Sequence, residues 1–277
     1  NTPFYHPTQF VDSRESNDVK KIESDDFYTT DAYADRAVEW LEQHKSKPKF
    51  LYVPFNAQHA PLQAPRKYLD RFPEITDEKR KLFAAMMSGM DDAIGRIMGK
   101  VKELGQEEST LYFFIGDNGG PTKSTTSYNG GLRGFKMTTY EGGPRVPFLV
   151  QWKGTIPGGA TYDYPVLNLD VLPTAINAAG GQTDVAWKLD GVDLLPYLTG
   201  KNKSRPHETI YWRYAPQWAV RHGDMKLVVS GDGQGSPELY DLSSDRAEST
   251  NLANSKPEKV KELQSLGLDV ELVKTQD

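Results

Sequence analysis

Three short segments of this 277-residue chain set chemically capable side chains beside glycine or proline. Asp117 and Asn118 lie within Gly116-Asp117-Asn118-Gly119-Gly120. Their carboxylate and amide oxygens are hard ligands suited to Ca²⁺ or Mg²⁺, and the flanking glycines allow close backbone approach. Two oxygens fill only part of a shell of about 6–8, and Asp-Asn-Gly is also a common turn composition. His59 lies in Asn56-Ala57-Gln58-His59-Ala60-Pro61, where a proline-stiffened turn can hold an imidazole as proton donor or anion ligand; the alternative is a satisfied, partly buried histidine. Lys136 follows Arg133-Gly134-Phe135 and precedes Tyr140-Glu141-Gly142-Gly143. Its compact charge can lean over an oxyanion, although loop lysines are ordinarily just solvated. Asp91-Asp92 is excluded as an acid/base dyad, because adjacent helical residues diverge by about 100°. His6, His44, His207 and His222 have no comparable setting and read as surface residues.

Elements must position these groups. Ala34, Ala37, Val38 and Leu41 recur at helical spacing over 31–44, with Thr30 or Asp31 as candidate cap. Leu82, Met86, Met90, Ile94, Ile97, Val101 and Leu104 predict a long helix over 77–104, stopped by Gly105; its methionines read as core filler. Phe50–Val53 and Leu111–Ile115 read as buried strands, each running straight into a candidate segment. Pro147–Trp152 reads as another strand and 170–179 as a short helix. Helix and strand alternate over 31–180, which argues for an α/β layered fold with a largely parallel sheet whose ligands bind beyond the strands' carboxyl ends. Short strands at 208–212, 218–221, 225–229 and 238–241, then a helix near 257–266, predict a small antiparallel sheet with a closing helix. A boundary near 200 separates a main domain, 1–200, from a subdomain, 201–277. Residues 1–29 read as a surface-wrapping loop.

Composition narrows the chemistry. With no cysteine there is no disulfide, thiolate metal site or cysteine nucleophile within these residues. A net charge of −5 without a clustered basic face gives no footprint for nucleic acid. Apolar runs such as Leu111–Ile115 fall far short of the roughly 18 residues that span a bilayer. Asn1-Thr2-Pro3 opens with neither Met nor a signal-peptide pattern, so the chain is expected to begin partway through a longer protein.

Taken in order, several motifs resemble the sulfatases, formylglycine-dependent sulfuric ester hydrolases of the alkaline-phosphatase-like superfamily. They are His59-Ala60-Pro61, Met90-Asp91-Asp92-Ala93-Ile94-Gly95-Arg96, Gly116-Asp117-Asn118-Gly119, Leu132-Arg133-Gly134-Phe135-Lys136 and Glu141-Gly142-Gly143-Pro144-Arg145-Val146-Pro147-Phe148. Leu189-Asp190-Gly191-Val192-Asp193, Glu238-Leu239-Tyr240-Asp241-Leu242 and Asn251-Leu252-Ala253 complete the set. The resemblance implies an α/β/α sandwich lacking its N-terminal strands, followed by the small antiparallel sheet. It implies that Asp117 and Asn118 are two ligands of a single divalent cation, calcium or alternatively magnesium. It makes Lys136 the sulfate-bridging lysine and His59 the group that contacts sulfate and protonates the leaving alcohol.

The formylglycine motif, the early Asp-Asp metal pair and a Lys-x-His strand are not in this chain; Ser46-Lys47-Pro48-Lys49-Phe50 lacks the required arginine. They are expected in an N-terminal portion of the same protein, without which this polypeptide should not turn over a sulfate-ester substrate, aryl or carbohydrate. Phe135 stands where the family often has glycine. A phosphate or phosphonate ester hydrolase of the same superfamily is disfavoured by Asn118, where a two-metal phosphatase would want histidine. A non-catalytic sulfated-glycan-binding protein is the other alternative. The family's usual setting implies a periplasmic or secreted location.

Overall fold

The computed structural model of the chain describes residues 9–11, 19–21, 27–231, 233 and 235–274. Two compact units emerge: 1–107 with 121–127, and 108–120 with 128–277.

In the first unit, β1 (Gln9–Val11) and β2 (Val19–Lys21) pair antiparallel. These strands replace part of the loop expected over 1–29; His6 lies outside the described residues. Three helices follow: α1 (Thr29–Gln43), the single turn α2 (Arg66–Leu69) and the long α3 (Glu78–Glu103). Thr30 and Asp31 prove to be inside α1, whose N-cap is Tyr28. Asp77 caps α3 by accepting from Arg80 N at 2.7 Å. The far end of α3 is a Schellman turn: Gln106 N donates to Val101 O, Gly105 N donates to Lys102 O, and Gly105 takes φ +69°. Tyr28, Tyr68, Ala85 and Met86 form this unit's buried cluster, so the α3 methionine does serve as filler. Asp92 pairs with Arg71 at 2.6 Å, a structural use of one member of the excluded dyad. A last turn, α4 (Thr122–Thr125), completes the unit.

Residues 50–53 differ from the buried strand that their apolar run suggests. Among the described residues they join no ladder, and Phe50 and Tyr52 are 69% and 76% exposed while Leu51 and Val53 are half-buried. An extended segment with packing on one side only alternates in this way.

The second unit begins with β3 (Tyr112–Ile115), paired with β4 (Phe148–Gln151). The pair is antiparallel, where the sequence suggested parallel neighbours, with Phe114 opposite Leu149. Phe113 and Phe148 meet edge-to-face on one side, whereas Phe114 and Leu149 are exposed on the other. A 3₁₀ turn (Asn168–Asp170) leads into α5 (Val171–Ala178), and the single turn α6 (Leu195–Leu198) follows. Here His207 is a correction: its side chain is 8% exposed, and Nε2 sits 2.8 Å from Oδ1 of fully buried Asp170. Asp170 also accepts from Leu167 N and Val192 N, so one buried carboxylate ties three segments together.

The C-terminal sheet has the simple order β5 (Thr209–Tyr214), β6 (Gln217–His222), β7 (Met225–Val229), β8 (Glu238–Asp241), all antiparallel. Alternation divides its two faces. Val220, Leu227 and Leu239 pack against Leu263 of α7 (Pro257–Lys274), whose proline stands at the first helical position. Ala219, Val228 and Tyr240 face the other way with Trp212, packing against Tyr140, which follows Lys136 in the chain. Trp212 and Trp218 are therefore packing aromatics, whereas Tyr128 is 80% exposed.

Candidate active site

At the end of β3 the chain is fastened to the segment that enters β4. Gly116 N donates to Pro147 O at 3.0 Å, and Gly119 N to Gly143 O at 2.7 Å. Asp117 between them is exposed and Asn118 half-buried. Asp117 Oδ1 accepts from Asn118 N at 2.8 Å, and Asn118 Nδ2 donates to Gly119 O at 3.1 Å. Asp117 Oδ2 and Asn118 Oδ1 then accept no hydrogen bond among the described residues. These two hard oxygens suit a calcium-type cation as part of its shell. Among the described residues no three His, Asp or Glu side chains converge on one cation position.

Lys136 is half-buried in a tight turn. Phe135 N donates to Thr138 Oγ1 at 3.1 Å, Thr138 N donates back to Phe135 O at 3.0 Å, and Met137 takes φ +73°. Glycines let this turn stack on the Asp117 loop. A Cβ on Gly119 would lie 1.7 Å from Gly142 O, and one on Gly142 would lie 2.4 Å from Gly134 O. Gly142 N donates to Arg133 O at 2.7 Å. The backbones of 116–120, 142–143 and 133–134 are thus in direct contact, which brings the Asp117-Asn118 and Lys136 loops together. Asn129 stitches the same loops: it accepts from Gly120 N at 2.9 Å, and its Nδ2 donates to Gly120 O at 3.2 Å and Gly134 O at 3.4 Å. The sequence reading missed it; an Asn between two glycine clusters was the only available signal.

His59 belongs to the first unit. It is exposed in a turn closed by His59 N donating to Asn56 O at 3.0 Å. Its Nδ1 stands 2.6 Å from Ala60 O. A carbonyl can only accept, so Nδ1 carries a proton.

A buried charge cluster beneath the Lys136 loop also escaped the sequence reading. Lys226 Nζ, fully buried on β7, lies 2.8 Å from Glu141 Oε1 and 3.0 Å from Glu248 Oε1. Arg145 reaches Glu141 Oε2 at 3.2 Å, and Glu141 N donates to Glu248 Oε2 at 2.7 Å. Burial raises the carboxyl pKa at both acids. At Glu141 the Lys226 and Arg145 charges outweigh burial and hold the group below its ordinary value. At Glu248 burial prevails over Lys226 and pushes it up. A lone lysine in the apolar strand Met225-Lys226-Leu227-Val228-Val229 was the trace that the sequence offered.

The family model described as Sulfatase matches residues 1–181, more than half of the chain. The chain belongs to the sulfatase family. A second model, N-sulphoglucosamine sulphohydrolase, C-terminal, matches residues 134–276. Rat (Rattus norvegicus) arylsulfatase G is 32% identical over 82% of this chain and 48% of its own length. Bovine (Bos taurus) arylsulfatase A is 34% identical over 84% of the chain and 50% of its own. The crystal structure of Ps i-CgsB superposes with a TM-score of 0.81 at 30% identity, covering 88% of this chain and 55% of that one; it is also solved in complex with k-i-k-neocarrahexaose. This sulfatase-family chain thus has the alkaline-phosphatase-like α/β fold and spans about half the length of the relatives it matches.

Proposed function

We propose that the chain is the carboxyl-side portion of an enzyme that hydrolyses a sulfate monoester of a carbohydrate. The observation that carries this reading is the glycine-gated stacking of the Asp117-Asn118 loop on the Lys136 loop. The backbones that meet there carry a lysine on one loop and two hard oxygens on the other, and a sulfate anion with its counter-cation calls for that pair of groups. A carbohydrate substrate is supported by Ps i-CgsB, similar to this chain and crystallised with an oligosaccharide.

In this reading Lys136 binds the anionic sulfate oxygens and holds the group in line for attack. His59 delivers a proton from Nε2 to the departing sugar hydroxyl, so that no alkoxide is released. Asp117 Oδ2 and Asn118 Oδ1 would hold the divalent cation, calcium or alternatively magnesium. That cation supplies Lewis-acid stabilisation of charge when bound. The nucleophile, a formylglycine hydrate by family resemblance, and the remaining cation ligands belong to an amino-side portion of the same protein. The exposed Phe114–Leu149 face of β3 and β4 supports such a partner, because a paired apolar surface calls for a cover. The main part, 1–200, then completes the catalytic domain and 201–277 forms the subdomain. No helix of the described residues is long and apolar enough to cross a membrane. Membership of the sulfatase family supports a periplasmic or secreted setting.

The test is hydrolysis of a chromogenic aryl sulfate and a sulfated oligosaccharide by the full-length protein, with the matching phosphate as control. Sulfate-selective turnover that falls roughly 10²–10³-fold in Lys136→Ala, and vanishes when the chain is produced alone, is expected. Preference for the phosphate, or binding of the oligosaccharide without turnover, would overturn it.

A further inference from the structure

The loop that carries Lys136 is held at both ends by side chains of the C-terminal sheet. At its start, Arg133 Nη1 donates to Glu238 Oε2 at 2.8 Å and to the Tyr240 hydroxyl at 2.5 Å, both on β8. Its Nη2 donates to the Tyr140 hydroxyl at 3.1 Å, and the guanidinium stacks 4.0 Å from that ring's centroid. Tyr140 and Tyr240 each donate a further hydrogen bond to Glu238. At the loop's other end Glu141 is gripped by Lys226 of β7 and by Glu248, which follows β8. In the middle, Gln217 of β6 donates to Met137 O at 2.8 Å, one residue beyond Lys136. Three successive strands therefore reach one nine-residue segment, Arg133–Glu141.

The composition of this grip is informative. Register places Lys226 opposite Tyr240 and Val228 opposite Glu238, so the gripping side chains share one face of the sheet. The opposite face packs on α7. A sheet whose only task was to bury its own core would favour apolar residues on both covered faces. Here one face carries a buried lysine and a glutamate, groups that cost stability unless they are paired.

We propose that the C-terminal sheet is the positioning element for Lys136, with Lys226 and Glu238 as positioning residues that act through the two ends of its loop. The inference rests on the sulfatase reading for the role of Lys136 and goes beyond it in giving the C-terminal sheet a share in turnover. Neither Lys226 nor Glu238 touches substrate; they fix where the lysine's charge stands, and geometry of that kind governs rate steeply.

The experiment uses the full-length protein with Glu238→Gln at one end of the loop and Lys226→Met at the other. Two quantities are read: amide hydrogen exchange, and kcat/KM on an aryl sulfate. Each variant should speed exchange across 134–143 about tenfold while α3 and β3 keep their parental rates. Each should lower kcat/KM about tenfold, and that loss should shrink to within twofold when the change is made in a Lys136→Ala background. A purely structural defect would lower activity equally in both backgrounds, and that result overturns the proposal. So does unchanged exchange or unchanged turnover in Glu238→Gln, which decides the matter alone should Lys226→Met fail to fold. If the parent turns over no sulfate ester while exchange still rises in 134–143, the sulfatase reading fails and the clamp stands.

Discussion

Lys226 shows how much one side chain can carry. A fully buried ammonium is tolerable only beside its two carboxylates, and removing it leaves Glu141 and Glu248 facing each other across a dry gap. Lys226→Met is expected to cost about 3–5 kcal/mol in denaturant unfolding. The pairing of Lys226→Met with Glu141→Gln should cost less than the sum of the two singles, because the second change removes one stranded charge. Histidines show how local a sequence reading is. His59 drew notice because a proline turn adjoins it, whereas His207 passed as a surface residue. Its partner Asp170 is 37 residues away, and nothing in the neighbourhood of either residue announces the other.

At the scale of elements, the long helix α3 was legible because seven apolar positions at spacings of three or four leave no other solution, and its glycine stop proved to be a Schellman turn. The four short C-terminal strands were legible from their turn residues, with ends shifted by no more than two residues. Pairing direction was not. Phe-rich runs such as Tyr112–Ile115 look the same in parallel and antiparallel company, so β3 and β4 were placed but their mutual sense was missed. Loop stacking was equally hidden, since glycines mark where backbones meet without saying which ones. It is nonetheless testable. Gly119→Ala would drive a methyl to within 1.7 Å of Gly142 O, backbone against backbone. The two loops must part, and a loss of about 1–3 kcal/mol in thermal or denaturant unfolding should follow. Gly95→Ala, whose Cβ would meet nothing within 4 Å on the exposed side of α3, is the control without a clash and should gain about 0.5–1 kcal/mol from helix propensity.

For the whole molecule, acid is the informative variable. Burial works to raise the Glu238 pKa, but hydrogen bonds from Tyr140, Tyr240 and Arg133 outweigh it and hold the carboxyl below its ordinary 4.5. Hydrogen bonds from Arg205 likewise depress Asp224. A depressed folded-state value means stability that is present above the unfolded pKa and lost as pH falls through the folded one. Glu248 is shifted upward and runs the opposite way, its contribution fading as pH rises through the raised value. With Glu238, Asp224 and Glu141 all depressed, stability should drop below about pH 4.5. The stability gap between parent and Glu238→Gln should narrow over that range; a gap constant with pH would show that Glu238 contributes no titrating interaction.

The grip on Arg133–Glu141 also bears on how a gene of this kind fails. A nonsense codon beyond position 200 leaves His59, Asp117, Asn118 and Lys136 all encoded, yet it deletes the strands on which the lysine's loop is braced. Such an allele should score as a null, although every residue assigned to chemistry is still translated.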